Sequence, residues 1–145
     1  MKISQNNIQE KWYLIDAAGV RAGLLTSAVA QLLLGKNDPL VRSNLMPKNK
    51  VIVINADKFD YTAKRGFTKF YRRYSGYPSG LKVEPLEVLI KRKPTEPLRK
   101  AIKGMLPKNK RSQAILAENL FLYAGSEHPH EAQKPELVDV RKLKF

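Results

Sequence analysis

Residues 51 to 55 read Val51-Ile52-Val53-Ile54-Asn55, and this stretch decides the fold. Four β-branched side chains in succession suit a pleated strand. They do not alternate with polar residues, so the strand is expected to be buried on both faces, as strands of parallel sheets are. Upstream, Trp12-Tyr13-Leu14-Ile15-Asp16 is a second aromatic and aliphatic run of strand type, and Ala17-Ala18-Gly19 offers a turn after it. Between the two runs, from 23 to 34, Leu24, Leu25, Ala28, Val29, Leu32 and Leu33 recur at helical spacing. Gly35 then stands where a glycine commonly ends a helix. A strand, a helix and a second fully buried strand predict a parallel βαβ unit, hence an α/β domain.

Outward from that unit, Asp38-Pro39 and Met46-Pro47-Lys48-Asn49-Lys50 read as a loop. Glu84-Pro85 opens a short helix through Leu86, Val88, Leu89 and Ile90, which Lys93-Pro94 stops. Thr95-Glu96-Pro97 starts another, with Thr95 as its N-cap and an acid in the first turn, where the macrodipole favours it. That helix is expected to bury Leu98, Ala101, Ile102 and Met105, to show Arg99, Lys100 and Lys103, and to end at Gly104-Met105-Leu106-Pro107. A further helix is predicted over 110–119 through Ala114, Ile115 and Leu116. Leu120-Phe121-Leu122-Tyr123-Ala124-Gly125 reads as a last core strand, and SEHPHEAQKPELVDV as an extended segment. The first ten residues are polar and read as irregular. The 145 residues suffice for one domain with a real core, and no repeat divides them.

The charge is uneven. The net charge is +14, and residues 48–111 alone carry 18 basic and 5 acidic side chains, leaving +1 for everything else. A solubility device would spread that charge; a concentration predicts a side that faces a polyanion, with nucleic acid the first candidate and an anionic membrane surface the second. A short basic tail, Arg141-Lys142-Leu143-Lys144-Phe145, closes the chain. The absence of cysteine excludes disulfides and thiolate metal sites and suits a reducing cytosol. The longest apolar stretch, LLTSAVAQLLL at 24–34, is too short and too polar to span a bilayer. The N-terminus shows no apolar core of a secretion signal, so the expected location is the cytoplasm.

Residues 64–82 read KRGFTKFYRRYSGYPSGLK. Lys64, Arg65, Lys69, Arg72, Arg73 and Lys82 are joined by no acid. Phe67, Phe70, Tyr71, Tyr74 and Tyr77 lie between them, and Gly66, Gly76, Pro78 and Gly80 interrupt the run. Cations neutralise phosphates and aromatic faces stack on bases. The bland alternative is a solvated hairpin whose aromatics face a core. A second basic motif, KGMLPKNKR at 103–111, reads as a helix C-terminus with the cations its dipole prefers, after which Lys108, Lys110 and Arg111 project as a phosphate-contacting loop. The two basic arms therefore span about 60–82 and 103–111.

Catalytic patterns are weak. Gly19 and Gly23 lie between strand and helix, but DAAGVRAGLL has neither GxGxxG nor the GK[ST] of a phosphate loop, so a tight turn with close helix packing is expected and no cofactor. His128-Pro129-His130 could give two metal ligands, with Glu127 and Glu131 beside them, where a site needs three or four. A structured loop with stacked imidazoles, facing RNA, is the alternative. Asp57 and Asp60 after the central strand could hold Mg²⁺ in a metal-dependent RNA-processing enzyme. A general basic nucleic-acid-binding protein is the other rival.

The segments WYLIDA (12–17), VIVINADK (51–58), KFYRRYSGYPSGLK (69–82), KGMLPKNK (103–110) and YAGSEHPHEAQKPE (123–136) occur in one order. Together they resemble the bacterial large-subunit ribosomal protein L-thirteen family, over nearly the whole chain. The resemblance implies a three-layer α/β/α domain around a small, mostly parallel sheet with basic loop extensions. It implies a structural constituent of the large subunit that binds ribosomal RNA, contacts neighbouring ribosomal proteins, supports early assembly, and has no catalysis, cofactor, small-molecule substrate or membrane. Carried over by position, the RNA-facing residues are Lys69, Tyr71, Arg72, Ser75, Gly76, Tyr77, Gly80 and Lys82 in one arm, and Lys103, Gly104, Lys108, His128 and His130 elsewhere. The surrounding Lys64, Arg65, Arg73, Tyr74, Lys110 and Arg111 join them by charge and place. The sequence departs from the family pattern in AGLLTS, where Leu24 replaces an arginine, in MPKNK before the central strand, in TAKR, at Tyr74 and in RSQAIL at 111–116.

Overall fold

The computed structural model describes residues 9–42, 44–60 and 69–141. Lys64, Arg65 and the tail beyond Arg141 lie outside them. Strand β1 (Trp12–Asp16) and β2 (Lys50–Ile54) pair in parallel, Tyr13 opposite Val51 and Ile15 opposite Val53, with helix α1 (Ala22–Leu33) between them in sequence. This is the expected βαβ unit. β5 (Leu120–Leu122) adds to the outer edge of β2 and β6 (Glu136–Leu137) to that of β1, both parallel, giving the order β5-β2-β1-β6. β2 is therefore flanked on both sides, and Val51, Ile52 and Val53 are wholly buried, which explains the unbroken β-branched run.

The two faces of the sheet differ. Tyr13, Ile15, Val51 and Val53 share one face and join Leu25, Ala28, Val29, Leu32 and Leu33 of α1 in a single core. Leu98 and Ile102 of helix α3 (Glu96–Met105), and Ile115 of helix α4 (Lys110–Glu118), complete it. Burying each large aliphatic side chain there contributes roughly 1.5–3 kcal/mol. On the opposite face Trp12 stacks on Phe121, ring centroids 5.8 Å apart, and His130 packs on both. Two buried asparagines close the loop before β2. Asn49 donates to the Leu32 carbonyl at 3.0 Å, and Asn119 to that of Pro47 at 3.1 Å.

β3 (Phe70–Tyr74) and β4 (Leu81–Pro85) form a separate antiparallel ribbon that runs directly into α2 (Leu86–Arg92). α2 buries Leu86 and Leu89 at the ribbon's root, and carries Glu87 in its first turn and Lys91 and Arg92 in its last, as its dipole favours.

Several expectations need correction. Leu24, counted with the apolar residues at helical spacing, is exposed on α1. Met105 is 44 % exposed, because the buried stripe of α3 is Leu98 and Ile102. Ala101 is only half-buried. α3 ends within 104–107 as expected, though not at Gly104 itself. The helix continues through Met105 and stops because Leu106, which precedes Pro107, takes an extended conformation with ψ 151°. Thr95 stands at the N-cap but makes no side-chain cap, since its own backbone is already helical (φ −81°, ψ −19°). The working cap is Asn109, whose extended backbone lets its side chain accept from the Ser112 amide at 2.8 Å. Gly19 has the positive φ of a tight turn, whereas a Cβ at Gly23 would meet nothing within 4 Å, so no close packing requires that glycine. The segment after β5 is not merely extended: it holds a short 3₁₀ turn, Glu131–Gln133, and then β6.

Candidate nucleic-acid interface

The ribbon is a hairpin, as the bland reading held, but its aromatics do not face a core. Antiparallel register puts Phe70, Arg72 and Tyr74 in one row opposite Pro85, Val83 and Leu81, and Tyr71 and Arg73 in the other row opposite Glu84 and Lys82. In the first row Phe70, Tyr74, Leu81 and Val83 are all exposed, Tyr74 by 65 %. Tyr77 at the tip is 77 % exposed. The second row turns toward the corner between α2 and α3, where Tyr71 is half-buried.

The loop between the strands is fixed by its own backbone. The Gly80 amide donates to the Tyr77 carbonyl at 2.9 Å, and the Ser75 amide to the Gly80 carbonyl at 3.2 Å. A Cβ on Gly80 would collide with Ser75 Oγ and come within 2.9 Å of the Tyr77 carbonyl oxygen, so the SGYPSG turn requires glycine there. Gly76 sits at φ +87°, a conformation open to glycine at little cost. The turn thereby holds Tyr77 away from the domain.

Behind the second row lies an open groove of about 210 Å³. Six cationic and two acidic side chains line it, so it is strongly electropositive. Arg73 of β3 and Lys82 of β4 face it from the second row, and Arg72 of the first row also borders it; Arg92, Lys93 and Lys100 line it from the helices. Glu84 is engaged by Arg92 at 2.8 Å. Lys69 and Lys100 both place their ammonium groups over the Tyr71 ring, at 5.3 and 4.8 Å from its centroid.

The other expected residues fall in two places. Lys103, Gly104, Lys108 and Lys110 are exposed around the α3–α4 junction, where Leu106, Pro107 and Leu116 floor a shallow apolar cleft. Lys103 lies one turn after Lys100 on α3, so a lysine row connects the second arm with the groove. Arg111, expected to project, is half-buried. His128 and His130 belong to the aromatic face of the sheet. Tyr123 Oη and His130 Nε2 are 2.9 Å apart, and the His130 amide donates to His128 Nδ1 at 3.3 Å. Among the described residues, no contact brings either histidine to the ribbon or to the α3–α4 junction.

Asp57 and Asp60 are exposed, and Asp60 is held by its backbone, its amide donating to the Val20 carbonyl and its carbonyl accepting from the Ala22 amide. Among the described residues, no three His, Asp or Glu side chains converge as metal ligands would. Nor is any described helix long and apolar enough to cross a membrane.

Sequence reasoning missed Arg92, Lys93 and Lys100 as members of the basic site. The outward lysine row of α3 was visible in the helical spacing; its meeting with the ribbon depends on how the α2–α3 corner folds.

A family model described as ribosomal protein L13 matches residues 10–129. The chain belongs to the ribosomal protein L13 family. It is 46 % identical to the large ribosomal subunit protein uL13 of Gloeothece citriformis (strain PCC 7424) over 136 residues, covering 94 % of this chain and 89 % of that one. It is 47 % identical to uL13c of Guillardia theta over 125 residues, 86 % of this chain and 87 % of that one. Against uL13 of Synechococcus elongatus (strain ATCC 33912 / PCC 7942 / FACHB-805) the identity is 42 % over 138 residues, 95 % of this chain and 91 % of the relative. Members of this family are structural proteins rather than enzymes.

Proposed function

We propose that this chain is a structural constituent of the large ribosomal subunit that binds ribosomal RNA through its ribbon and its α3–α4 arm, and so supports early subunit assembly and translation. Neighbouring ribosomal proteins are its other partners. The α/β core acts as the anchor, and the basic arms enter crevices where RNA strands meet. The observation that carries the reading is the ribbon itself: a chain with a full core keeps Tyr74 and Tyr77 in solvent beside Arg72, Arg73 and Lys82, which have no carboxylate partner among the described residues. Those rings suit stacking on unpaired bases, and the cations suit phosphates. The names of the relatives, all large-subunit proteins, point the same way. Register on RNA is set by shape and stacking rather than by base edges, because side chains cannot enter the deep, narrow major groove of helical RNA.

Sucrose-gradient fractionation of a lysate at low and then high salt, with a blot for this chain, tests the reading. Migration with the large subunit that survives high salt is expected. A chain found free at the top of the gradient in both conditions overturns it.

A further inference from the structure

Two arrangements of cations at the groove lack a negative partner among the described residues. Arg73 and Lys82 face one another across the antiparallel ladder, and like charges directly opposite destabilise a sheet. Lys69 and Lys100 crowd the same Tyr71 ring, and among the described residues neither has a carboxylate partner. Each arrangement could be removed by a neutral side chain. Arg73, Lys82, Tyr71 and Lys100 instead line one cavity, with Lys69 over the Tyr71 ring beside it, and both arrangements would be served by the same kind of ligand, one that brings negative charge to two points along its length.

We infer that this groove seats the sugar-phosphate backbone of one RNA strand, one phosphate between Arg73 and Lys82 and another between Lys69 and Lys100. The inference rests on the RNA-binding reading above and assigns that role to Lys100, on α3 rather than on the arm. A lone inorganic phosphate fits poorly, because Arg73, Lys82 and Lys100 are all exposed and form no closed shell around an anion. Such a site holds a ligand by summed charge, which suits a polyanion. An acidic protein segment would supply charge but would leave the exposed rings of Tyr74 and Tyr77 on the same ribbon unused. A nucleic-acid strand can use both the cations and the rings. Glu84 does not oppose it, being neutralised by Arg92.

The full chain is titrated with a fluorescent single-stranded oligouridylate over a range of salt. The double variants Lys69→Gln/Lys100→Gln and Arg73→Gln/Lys82→Gln are each expected to bind about tenfold more weakly at low salt, and to flatten the log–log salt dependence by about 0.7, the value for one lost phosphate contact on a single strand. Lys11→Gln and Lys36→Gln, on exposed positions away from the groove, are expected to change neither. Lys82→Glu turns a like pair into an opposite one, so the free protein's Tm should hold or rise while RNA affinity falls below that of Lys82→Gln. A drop in Tm with RNA affinity retained would give Lys82 a structural role and overturn the assignment. Double variants that bind like the wild type overturn the groove and leave the ribosomal role standing. The same holds if they lose affinity only for polyglutamate, or if the wild type migrates with the large subunit yet ignores oligouridylate. A wild type that neither binds RNA nor migrates with the subunit overturns both.

Discussion

β2 and β3 are both five-residue strands, and they are built on opposite principles. In β2 every preference agrees: β-branched residues, neighbours on both sides, and three successive positions wholly buried. In the ribbon, preferences conflict. No residue of β3 is fully buried, large apolar side chains face water, and two cations oppose each other across the ladder. A two-stranded ribbon is marginal alone. This one is tethered by the Glu84–Arg92 ion pair, by the Leu86 amide's bond to the Lys69 carbonyl, and by the burial of Leu86 and Leu89. Stability thus resides in the sheet, while the ribbon breaks local rules in the way functional segments do.

The largest effect expected from this contrast is on stability. Ile15→Ala, at a wholly buried site in the main core, should cost about 2–5 kcal/mol in urea unfolding. Tyr77→Ala should stay within about 0.5 kcal/mol of the wild type. A Tyr77 variant as destabilised as the Ile15 variant would mean that the ribbon tip is part of the fold, and the contrast would fail.

A smaller effect separates a cap that works from one that does not. Asn109→Ala removes the bond to the Ser112 amide and should cost about 1 kcal/mol, with faster hydrogen exchange in the first turn of α4. Thr95→Ala removes no cap bond and should cost distinctly less. Equal losses would show that the two caps do not differ in the way their backbones indicate.

These pairs also explain what was legible in the sequence. The sheet was legible because burial on both faces leaves a compositional mark at 51–54. That 64–82 contains a hairpin was legible too, but not which way its rings point. Alternation says that Phe70, Arg72 and Tyr74 share a row; it does not say whether that row meets a core or water. Thr95 and Asn109 are both good cap residues by type, and only φ and ψ distinguish them. β6 left no mark, because it has two residues and depends on the Val138 amide reaching the Leu14 carbonyl and on burial of Val140. The cations of the groove were visible singly. Their convergence is a tertiary fact, produced by the ribbon and the helical corner that follows it folding back on one another around Tyr71.

The smallest expected effect concerns how each region handles charge. In the ribbon Arg72, Arg73 and Lys82 have no carboxylate partner among the described residues, whereas at the start of β2 Lys50 is paired with Glu10 at 2.6 Å and lies 4.6 Å from the centre of the Trp12 ring. The hydrogen bond from Lys50 is the main reason the Glu10 carboxyl is held below its ordinary value. A carboxylate with a depressed folded-state pKa stabilises the fold above its unfolded value, about 4.3, and loses that contribution as pH falls through the lower folded value. Glu10 is half exposed, so solvent screening keeps the contribution below about 1 kcal/mol. Glu10→Gln should therefore lower Tm slightly at about pH 6 and by less as the pH drops below about 4. Added salt should shrink the difference at the higher pH, as it does for exposed pairs. A deficit that persists unchanged in acid would assign the effect to lost packing around Trp12, and charge pairing would then no longer distinguish the sheet from the ribbon.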